Sequence, residues 1–365
     1  MNIKIAIDAR HLSEELTGIG RYVYEIISRL IRNGANVEWH LYSHREIIVG
    51  NWDHSNVYIH HCRIKNRILR MLWAQFYLPI CLKRDNINIF WSPAHRIPFF
   101  INRSIRCVVT IHDFVWKYSP KTMRFLSRYL DTLLMPMSIK IANKVICVSN
   151  STKNDIVINY PKFTPKLITI YEAPTILSRL KITNLSKDPF ILFVGTLEPR
   201  KNLERLLAAF KLLISNYDGT LKLNLVGGKG WGKVNIANLI IDMGLINNVN
   251  VLGYVRDEEL FDLYSNALFT AMPSLYEGFG LPILESYSCG TPVLTSNNSS
   301  MLEIGGSAAH FVDPYSINSI KDGLEKLIYD VDYLNALKLN TYFESSKYSW
   351  EKAADETFMC LMSSD

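Results

Sequence analysis

Residues 268–285 read LFTAMPSLYEGFGLPILE, and this stretch predicts a strand, a glycine-bearing loop and the start of a helix in direct succession. The apolar run Leu268–Met272 is typical of a buried strand. Pro282 suits the first helical turn, where its missing N–H leaves no hydrogen bond unmade. Because parallel sheets bind ligands at the carboxyl ends of their strands, we expect this loop to line a binding site.

The loop itself carries groups suited to a polyhydroxylated, phosphorylated ligand. Gly278 and Gly280 let the backbone approach a ligand closely, and the helix start offers N–H groups to an anion or a hydroxyl. Glu277 lies in the loop and Glu285 about one turn into the helix, so both carboxylates can accept hydrogen bonds from vicinal hydroxyls of one ligand. The alternative is an ordinary strand–turn–helix with glycines that serve geometry and solvated glutamates.

A second loop with the same placement supplies positive charge. Residues 195–202 read GTLEPRKN and follow the predicted strand Phe190–Val194. Arg200 offers a fork of donors and Lys201 a compact charge, and two cations beside a helix N-terminus suit a diphosphate. Asn202 is the predicted cap of that helix. An ordinary exposed loop is the alternative.

Outward from these loops, short apolar runs alternate with helical periodicity, which predicts parallel sheets. The predicted strands are Lys4–Ile7, Val37–Tyr42, Val57–Ile64, Asn88–Trp91, Arg106–Ile111, Lys144–Val148, Leu167–Tyr171, Phe190–Val194, Leu221–Val226, Val249–Leu252, Leu268–Met272 and Pro292–Thr295. The fold class is α/β, with two Rossmann-like doubly wound domains facing a cleft. The predicted domains are residues 1–175 and 176–345, with a C-terminal helix in 346–365 that crosses back to the first domain.

Helix boundaries follow from spacing and capping residues. Apolar residues from Val23 to Ile31 recur at intervals of three and four, which predicts a helix that ends at Gly34. Ser151 is the predicted N-cap of the helix after Lys144–Val148.

Composition limits the class of protein. A chain of 365 residues predicts about two domains of roughly 150 residues. The net charge of +6 hides a division: residues 1–175 hold 24 Lys+Arg and 12 Asp+Glu, whereas residues 176–365 hold 16 and 22. The six cysteines form no C-x-x-C pair, which predicts reduced thiols. Charged Lys4, Asp8 and Arg10 interrupt the first apolar run, so we expect no signal peptide and a cytoplasmic protein.

The segment 63–84 combines basic and apolar residues and contains no acid. Such a mixture suits peripheral contact with an anionic membrane. A buried helix with a basic rim is the alternative. The mixture of basic and apolar residues also suits nucleic acid. No nucleic-acid-binding motif accompanies it, however, so we expect no nucleic-acid partner.

Several motifs occur together and in order. They are Ile7-Asp8-Ala9-Arg10, Thr17-Gly18-Ile19-Gly20-Arg21-Tyr22, Thr110-Ile111-His112-Asp113, Val148-Ser149, Gly253-Tyr254-Val255, the Glu-x7-Glu pair Glu277 and Glu285, Cys289-Gly290-Thr291-Pro292-Val293, Glu303-Ile304-Gly305-Gly306 and Asp313-Pro314. With these motifs the chain resembles the retaining glycosyltransferases of family 4, which have the GT-B fold. The resemblance covers nearly the whole chain.

The resemblance implies roles for individual residues. In similar enzymes the position of Glu285 accepts hydrogen bonds from the ribose, and that of Glu277 contacts the donor sugar. The amides around Phe279, Gly280 and Leu281 hold sugar and phosphate. The resemblance also implies that Gly278 and Gly280, before the helix that carries Glu285, and Gly195 and Thr196, after Phe190–Val194, bind the donor. Arg200 and Lys201 would neutralise the diphosphate, and His112 would orient the donor sugar. Gly18 and Gly20 would lie in a loop that closes over phosphate or acceptor.

One departure bears on the donor. Many relatives have arginine where this chain has Thr196, which shifts phosphate binding onto Arg200 and Lys201. The variant GTLEPRKN resembles a subgroup rich in bacterial surface-polysaccharide mannosyltransferases. We therefore expect a hexose, with mannose from GDP-mannose favoured, to be transferred to a lipid-linked oligosaccharide of O-antigen type.

The sequence contains one motif that resembles a metal site, and it leaves two alternative functions open. Asp330-Val331-Asp332 imitates a metal-binding Asp-x-Asp, but it follows a helical face, so we read it as a helix boundary and expect no essential metal and no cofactor. Two alternatives to transfer stay open: a non-catalytic sugar-nucleotide-binding protein and a sugar-nucleotide epimerase of the same fold.

Overall fold

The computed structural model describes residues 2–14, 16, 18–33, 36–176, 188–232 and 235–363, and the chain divides into two compact units. Unit 1 comprises Met1–Trp116, Phe125–Glu172 and Ser349–Asp365, and unit 2 comprises Lys117–Arg124 and Ala173–Tyr348. Lys117–Arg124 lies in the first half of the sequence but belongs to unit 2. The sequence prediction did not include this assignment.

Unit 1 contains a seven-stranded parallel sheet with the strand order β3-β2-β1-β4-β5-β6-β7. Its strands are β1 (Ile3–Asp8), β2 (Val37–Ser43), β3 (Val57–His61), β4 (Ile89–Ser92), β5 (Arg106–Ile111), β6 (Lys144–Cys147) and β7 (Leu167–Thr169). The order reverses between β1 and β4, which is typical of a doubly wound sheet.

Helices connect these strands. They are α1 (Gly18–Asn33), α2 (Arg67–Leu72), α3 (Leu78–Arg84), α4 (Val115–Tyr118), α5 (Phe125–Ile141) and α6 (Asn150–Asn159), and a π-helical turn, Trp73–Tyr77, joins α2 to α3. Single helical turns occur at Arg10–Leu12, Pro120–Thr122 and Pro161–Lys166. Residues 67–84 thus form one helical segment.

Unit 2 contains a six-stranded parallel sheet with the order β10-β9-β8-β11-β12-β13. Its strands are β8 (Phe190–Val194), β9 (Lys222–Val226), β10 (Val249–Gly253), β11 (Thr270–Met272), β12 (Val293–Ser296) and β13 (Ala309–Val312). Its helices are α7 (Leu203–Ile214), α8 (Ile236–Asp242), α9 (Asp257–Asn266), α10 (Leu281–Ser288), α11 (Ser299–Gly305), α12 (Ile317–Tyr329) and α13 (Val331–Ser346), with single turns at Pro199–Lys201 and Gly306–Ala308.

Alternate residues of β8 pack into two hydrophobic cores on opposite faces of the unit 2 sheet. Ile191 and Phe193 belong to a cluster that includes Phe210 of α7. Leu192 belongs to a second cluster that includes Tyr264 of α9. Because successive strand residues point to opposite faces, a strand buried on both faces reads as a continuous apolar run. This explains why Phe190–Val194 was predictable as a strand.

The last helix, α14 (Trp350–Met362), belongs to unit 1 and packs on α1. Its Trp350 is buried, with its ring 6.1 Å from that of Tyr22. Arg29 Nε donates to Glu351 Oε1 over 3.0 Å. Trp350 therefore contributes packing within unit 1.

Several details of local structure differ from the sequence prediction or lie outside the described residues. Ser149, not Ser151, caps α6, because its side chain accepts a hydrogen bond from Thr152 N. Asn202 precedes α7 in a left-handed conformation, and its side chain makes no cap bond there. Strand β13 (Ala309–Val312) was not predicted. Thr17 and the predicted helix end at Gly34 lie outside the described residues.

All six cysteines are free, and five of them are buried. Across the described part of the chain, no helix combines the length and the apolar character that crossing a membrane would require.

Candidate active site

Two loops meet at the carboxyl ends of β8 and β11, which are neighbours in the unit 2 sheet. Leu275 N donates to Arg200 O over 2.8 Å and so joins one loop to the other. Gly195 follows β8 with φ near 151°, and a Cβ built on Gly227 would lie 2.0 Å from Gly195 O. The positive φ of Gly195 favours glycine there, and the close approach of the Gly195 carbonyl requires glycine at Gly227, which follows β9.

The four charged side chains of these loops form one buried cluster. Lys201 Nζ donates to Glu277 Oε1 over 2.7 Å, and Arg200 donates to Glu277 Oε2 through NH1. Arg200 NH2 donates to Glu198 Oε1 over 2.6 Å. Glu198, Lys201 and Glu277 are buried. Two carboxylates and two cations therefore balance one another at the sheet edge.

Electrostatics hold Glu277 ionised. Burial alone would raise the pKa of this carboxyl group, but the nearby Arg200 and Lys201 outweigh burial and lower the pKa to about 2. The carboxylate is thus an acceptor at all physiological pH values, as a contact to sugar hydroxyls requires.

Helix α11 fixes the backbone of the loop between β11 and α10. Glu277 N donates to Ser299 Oγ over 3.1 Å, and Ser300 Oγ donates to the carbonyls of Glu277 and Phe279 over 3.0 and 2.8 Å. Gly280 precedes α10 with φ near 105°, a left-handed conformation that favours glycine. The amides that begin the helix are thereby held in place.

Glu285 lies inside α10 with a different set of neighbours. Thr175 Oγ1 donates to Glu285 Oε1 over 2.6 Å, and Tyr264 OH donates to Glu285 Oε2 over 3.1 Å. The carboxylate is buried and is contacted by neutral hydroxyls rather than by cations. The two hydroxyls therefore orient both oxygens of the carboxylate.

The structure brings the predicted unit 2 residues to one sheet edge, and their binding roles stay predictions. Gly195 and Thr196 follow β8, and Thr196 O accepts from Glu198 N over 2.8 Å. The remaining predicted residues lie between β11 and α10 or at the start of α10; they are Gly278, Phe279, Gly280 and Leu281. Asn202 joins two further loops, since its Nδ2 donates to Pro273 O and Pro314 O over 2.9 and 2.7 Å.

His112 belongs to unit 1, where it follows β5. Its Nδ1 lies 3.0 Å from Glu172 Oε1 and its Nε2 lies 2.8 Å from Pro93 O. Burial alone would lower the pKa of His112, but the hydrogen bond and charge of Glu172 reverse the direction and raise it. Both ring nitrogens are engaged within unit 1, and the predicted orienting role stays a prediction.

Gly18 and Gly20 lie in the first turn of α1, so their assignment to a loop was wrong. Gly20 is buried, and a Cβ built there would lie 3.3 Å from His11 O, so a close backbone approach accounts for this glycine. Their contact with phosphate or acceptor stays a prediction.

The Asp330-Val331-Asp332 motif, which imitates a metal site, has a structural explanation. Asp330 caps α13 by accepting from Tyr333 N over 2.9 Å and pairs with Lys326, so its assignment to a helix boundary is confirmed. Within the described ranges, no three His, Cys, Asp or Glu side chains are grouped to hold a metal ion.

Sequence reasoning missed several site residues. Glu198, the partner of Arg200, stands in the quoted loop and its charge was a usable signal. Thr175 and Tyr264 lie 110 and 21 residues from Glu285, and nothing in the sequence connects them to it. Ser300 was likewise hidden, because it lies in α11, and only the adjacency of β11 and β12 brings the start of α11 to this loop.

Comparisons with known proteins agree with this architecture. The family model described as Glycosyltransferase Family 4 matches residues 16–172, and the model described as Glycosyl transferases group 1 matches residues 178–343. A sucrose-phosphate synthase from Thermosynechococcus elongatus has a similar fold, with a TM-score of 0.78, 18% identity and coverage of 98% of both chains. The structure of WaaG, a glycosyltransferase involved in lipopolysaccharide biosynthesis, has a TM-score of 0.77 at 15% identity and covers 99% of this chain and 100% of its own.

The two parallel-sheet units and these family matches define a glycosyltransferase with the GT-B fold. The O-antigen chain mannosyltransferase B of Escherichia coli is 30% identical to this chain, and the match covers 97% of this chain and 98% of that protein. The chain belongs to glycosyltransferase family 4.

Proposed function

We propose that this glycosyltransferase moves mannose from GDP-mannose to a lipid-linked oligosaccharide of a bacterial surface polysaccharide, with retention at the anomeric carbon. The name of the Escherichia coli relative, an O-antigen chain mannosyltransferase, supports the sugar and the class of acceptor. The observation that carries the proposal is the joining of Glu277 to Arg200 and Lys201 at the carboxyl edge of unit 2.

In this proposal the cations of the cluster act on the leaving group. As the bond between the anomeric carbon and the phosphate oxygen opens, negative charge grows on the departing nucleoside diphosphate. Lys201 Nζ has three N–H donors, and its ion pair with Glu277 uses one of them. Donor phosphates would share Arg200 and Lys201 with Glu277 and Glu198, so phosphate binding would loosen contacts that the cluster now makes.

Glu285 would bind the nucleoside. A carboxylate offers about four lone-pair sites, and the hydroxyls of Thr175 and Tyr264 orient its two oxygens. The vicinal hydroxyls of a ribose would complete this set as donors. Glu277, held ionised, would accept from hydroxyls of the sugar.

Retention would follow from departure and attack on one face of the sugar. The acceptor hydroxyl oxygen forms the new bond to the anomeric carbon as the bond to the phosphate oxygen breaks. The departing phosphate oxygen takes the proton of that hydroxyl, so no protein nucleophile is needed. We propose that no essential metal and no cofactor take part, with Arg200 and Lys201 supplying the charge that would otherwise fall to a cation.

We further propose that the enzyme works at the cytoplasmic face of a membrane as a peripheral protein. Exposed apolar side chains on the helical segment 67–84, including Leu69, Phe76 and Ile80, support this. The excess of basic residues in the first half of the chain would favour an anionic surface.

The test is nucleotide binding by Glu285→Ala. We expect GDP to bind with a dissociation constant raised about 10- to 100-fold, because loss of a charged acceptor costs about 1.5–3 kcal/mol. Calorimetry with GDP, UDP and ADP would measure both this loss and the preference for the base. Glu204→Ala is the matched control, since Glu204 is exposed on α7. Unchanged GDP affinity in Glu285→Ala would refute the assignment, and tighter UDP than GDP binding would refute the donor.

A further inference from the structure

Three adjacent strands of unit 1 each deliver an arginine at the carboxyl edge of the sheet. Arg10 follows β1, Arg45 follows β2, and Arg70 lies in α2 after β3. Backbone hydrogen bonds join the three connections, since Ala9 N donates to Tyr42 O over 2.9 Å and Ile64 N donates to His44 O over 3.0 Å. We call Arg10, Arg45, Arg70 and His44 the arginine corner.

Two of these arginines converge on one carboxylate oxygen. Arg70 NH1 donates to Glu14 Oε1 over 3.0 Å, and Arg45 NH1 donates to the same oxygen over 3.4 Å. Glu14 keeps 55% of its side chain exposed, so this carboxylate is an anion at the surface rather than part of the core. Such a pair is weak and can be displaced by a stronger anion.

His44 lies among the three guanidinium groups. Its Nε2 is 3.4 Å from Arg70 NH1, and its side chain is buried. Burial first, and then the charges of Arg10, Arg70 and Arg45, lower the pKa of His44 to about 4. The imidazole is therefore neutral at pH 7. Arg10 is already paired with the buried carboxylate of Asp8, because its Nε donates to Asp8 Oδ1 over 2.7 Å. Arg45 and Arg70 therefore provide the positive charge that the corner offers to an anion.

Buried nitrogen atoms in this corner have no partner in the part of the chain that the structure describes. They are Arg70 Nε, His44 Nδ1 and Trp73 Nε1. Trp73 adjoins the corner, because Arg10 Cζ lies 5.9 Å from its ring centroid and the His44 ring lies 6.2 Å away. Buried donors are nearly always paired in folded proteins, so several unpaired ones in one place indicate a ligand with acceptor oxygens.

The helical segment that carries Arg70 turns an apolar face outward. Leu69, Leu72, Phe76 and Ile80 are all exposed, and their spacing of three and four residues puts them on one face. Phe76 stacks on Phe100, with ring centroids 5.2 Å apart. Gln75 Oε1 accepts from Phe99 N over 3.0 Å and so holds that neighbouring loop beside the segment.

We propose that the arginine corner binds the diphosphate of a lipid diphosphate acceptor, whose hydrocarbon chain lies on the adjoining apolar face. The inference rests on the proposed lipid-linked acceptor and gives that acceptor a site in unit 1. Diphosphate oxygens replace the Glu14 carboxylate and accept from Arg45 and Arg70, whose planar forks suit phosphate geometry. Nearby apolar surface then distinguishes a lipid diphosphate from free diphosphate.

The experiment measures binding of farnesyl diphosphate, inorganic pyrophosphate and farnesol to the full chain by calorimetry. We expect farnesyl diphosphate to bind more tightly than either of the others. Arg45→Gln and Arg70→Gln each weaken its binding about 10-fold or more, as expected for loss of a charged hydrogen bond. Arg103→Gln, which removes an equal charge from an exposed position of the same unit, leaves binding unchanged.

Glu14→Gln separates a binding site from a structural ion pair. If an anion replaces the Glu14 carboxylate, this variant binds farnesyl diphosphate about two- to fivefold more tightly than wild type. Unchanged binding in Arg45→Gln and Arg70→Gln overturns the site. Equal affinities for pyrophosphate and farnesyl diphosphate overturn its lipid preference.

Nucleotide binding by the same variants keeps the two proposals apart. Arg45→Gln and Arg70→Gln retain wild-type affinity for GDP, because Glu285, Arg200 and Lys201, which are proposed to bind the nucleoside and its phosphates, belong to unit 2. If wild type binds GDP but does not bind farnesyl diphosphate, the proposed function of the arginine corner is refuted and the proposed donor site is not.

Discussion

The carboxyl edges of the two sheets use charge in opposite ways. In unit 2, which has the more acidic sequence, Glu277 is buried between Arg200 and Lys201 and is neutralised by them. In unit 1, which has the more basic sequence, two arginines meet the half-exposed carboxylate of Glu14. Unit 1 also has a buried pair, Asp8 with Arg10. Only unit 1, however, has in addition an exposed carboxylate, that of Glu14, which an incoming anion can replace.

The difference shows that local pairing, rather than the net charge of a domain, decides what an edge can bind. An anion that approaches unit 2 meets cations already bound to carboxylates that are themselves desolvated. An anion that approaches unit 1 has only to displace a solvated side chain, which costs little. We therefore expect the buried pairs to dominate stability.

The largest expected effect is that of Glu277→Gln. Removing this carboxylate leaves the buried Lys201 without its partner and leaves Arg200 with Glu198 alone. Breaking a buried pair costs about 3–5 kcal/mol. Because the pKa of Glu277 is lowered from 4.5 to about 2, its contribution is complete above pH 4.5 and is lost as the pH falls towards 2. Urea unfolding of wild type and variant should thus differ most at neutral pH and converge in acid.

Glu204→Gln, an exposed change in the same unit, is the control for that measurement and should leave the unfolding free energy within about 0.5 kcal/mol. A difference between wild type and Glu277→Gln that stays constant from pH 7 to pH 3 would contradict the ion-pair explanation.

A smaller effect with the opposite pH dependence is expected for Glu172→Gln in unit 1. The pKa of His112 is raised by Glu172, so the pair stabilises the protonated imidazole. Its contribution is complete below pH 6.5 and is lost as the pH rises through the raised pKa. We expect a loss of about 1.5–3 kcal/mol at pH 6 and a smaller loss at pH 9, measured by urea unfolding. Equal losses at both pH values would exclude a charged His112.

The smallest effect concerns the helix starts at the two edges. Helix α6 is capped by the Ser149 hydroxyl, whereas α10 starts from Gly280 with no side-chain cap. Ser149→Ala should cost about 1 kcal/mol, because it leaves the Thr152 N–H without its acceptor. Ser151→Ala should cost less than about 0.5 kcal/mol in the same thermal unfolding experiment. A larger loss for Ser151→Ala would restore the cap predicted from sequence.

Much of the sheet architecture was predictable because strands buried on both faces read as apolar runs. Phe190–Val194 and Arg106–Ile111 coincide with the observed strands. Ala309–Val312 was missed, since a four-residue strand with half-buried His310 and Phe311 carries little apolar signal. Lys117–Arg124 belongs to unit 2 because of tertiary contacts such as the hydrogen bond from Trp231 Nε1 to Thr122 O. No local sequence pattern encodes such contacts.

For the candidate site, sequence reasoning found the groups but not their partners. Glu277 and Arg200 were both selected, yet their direct contact spans 77 residues and follows from the adjacency of β8 and β11. Arg10 and Arg45 attracted no attention in the sequence as ligand-binding residues. Strand order alone places their connections side by side, and strand order is not written in a single sequence.

The position of α14 has a consequence for the order in which the protein is made. Unit 1 begins with the first strand of the sheet, but it is complete only when Ser349–Asp365 has been added. During synthesis, the side of α1 that later packs on α14 stays uncovered while all of unit 2 emerges. The surface of α1 around Tyr22 can therefore be covered by Trp350 only after unit 2 has been synthesised.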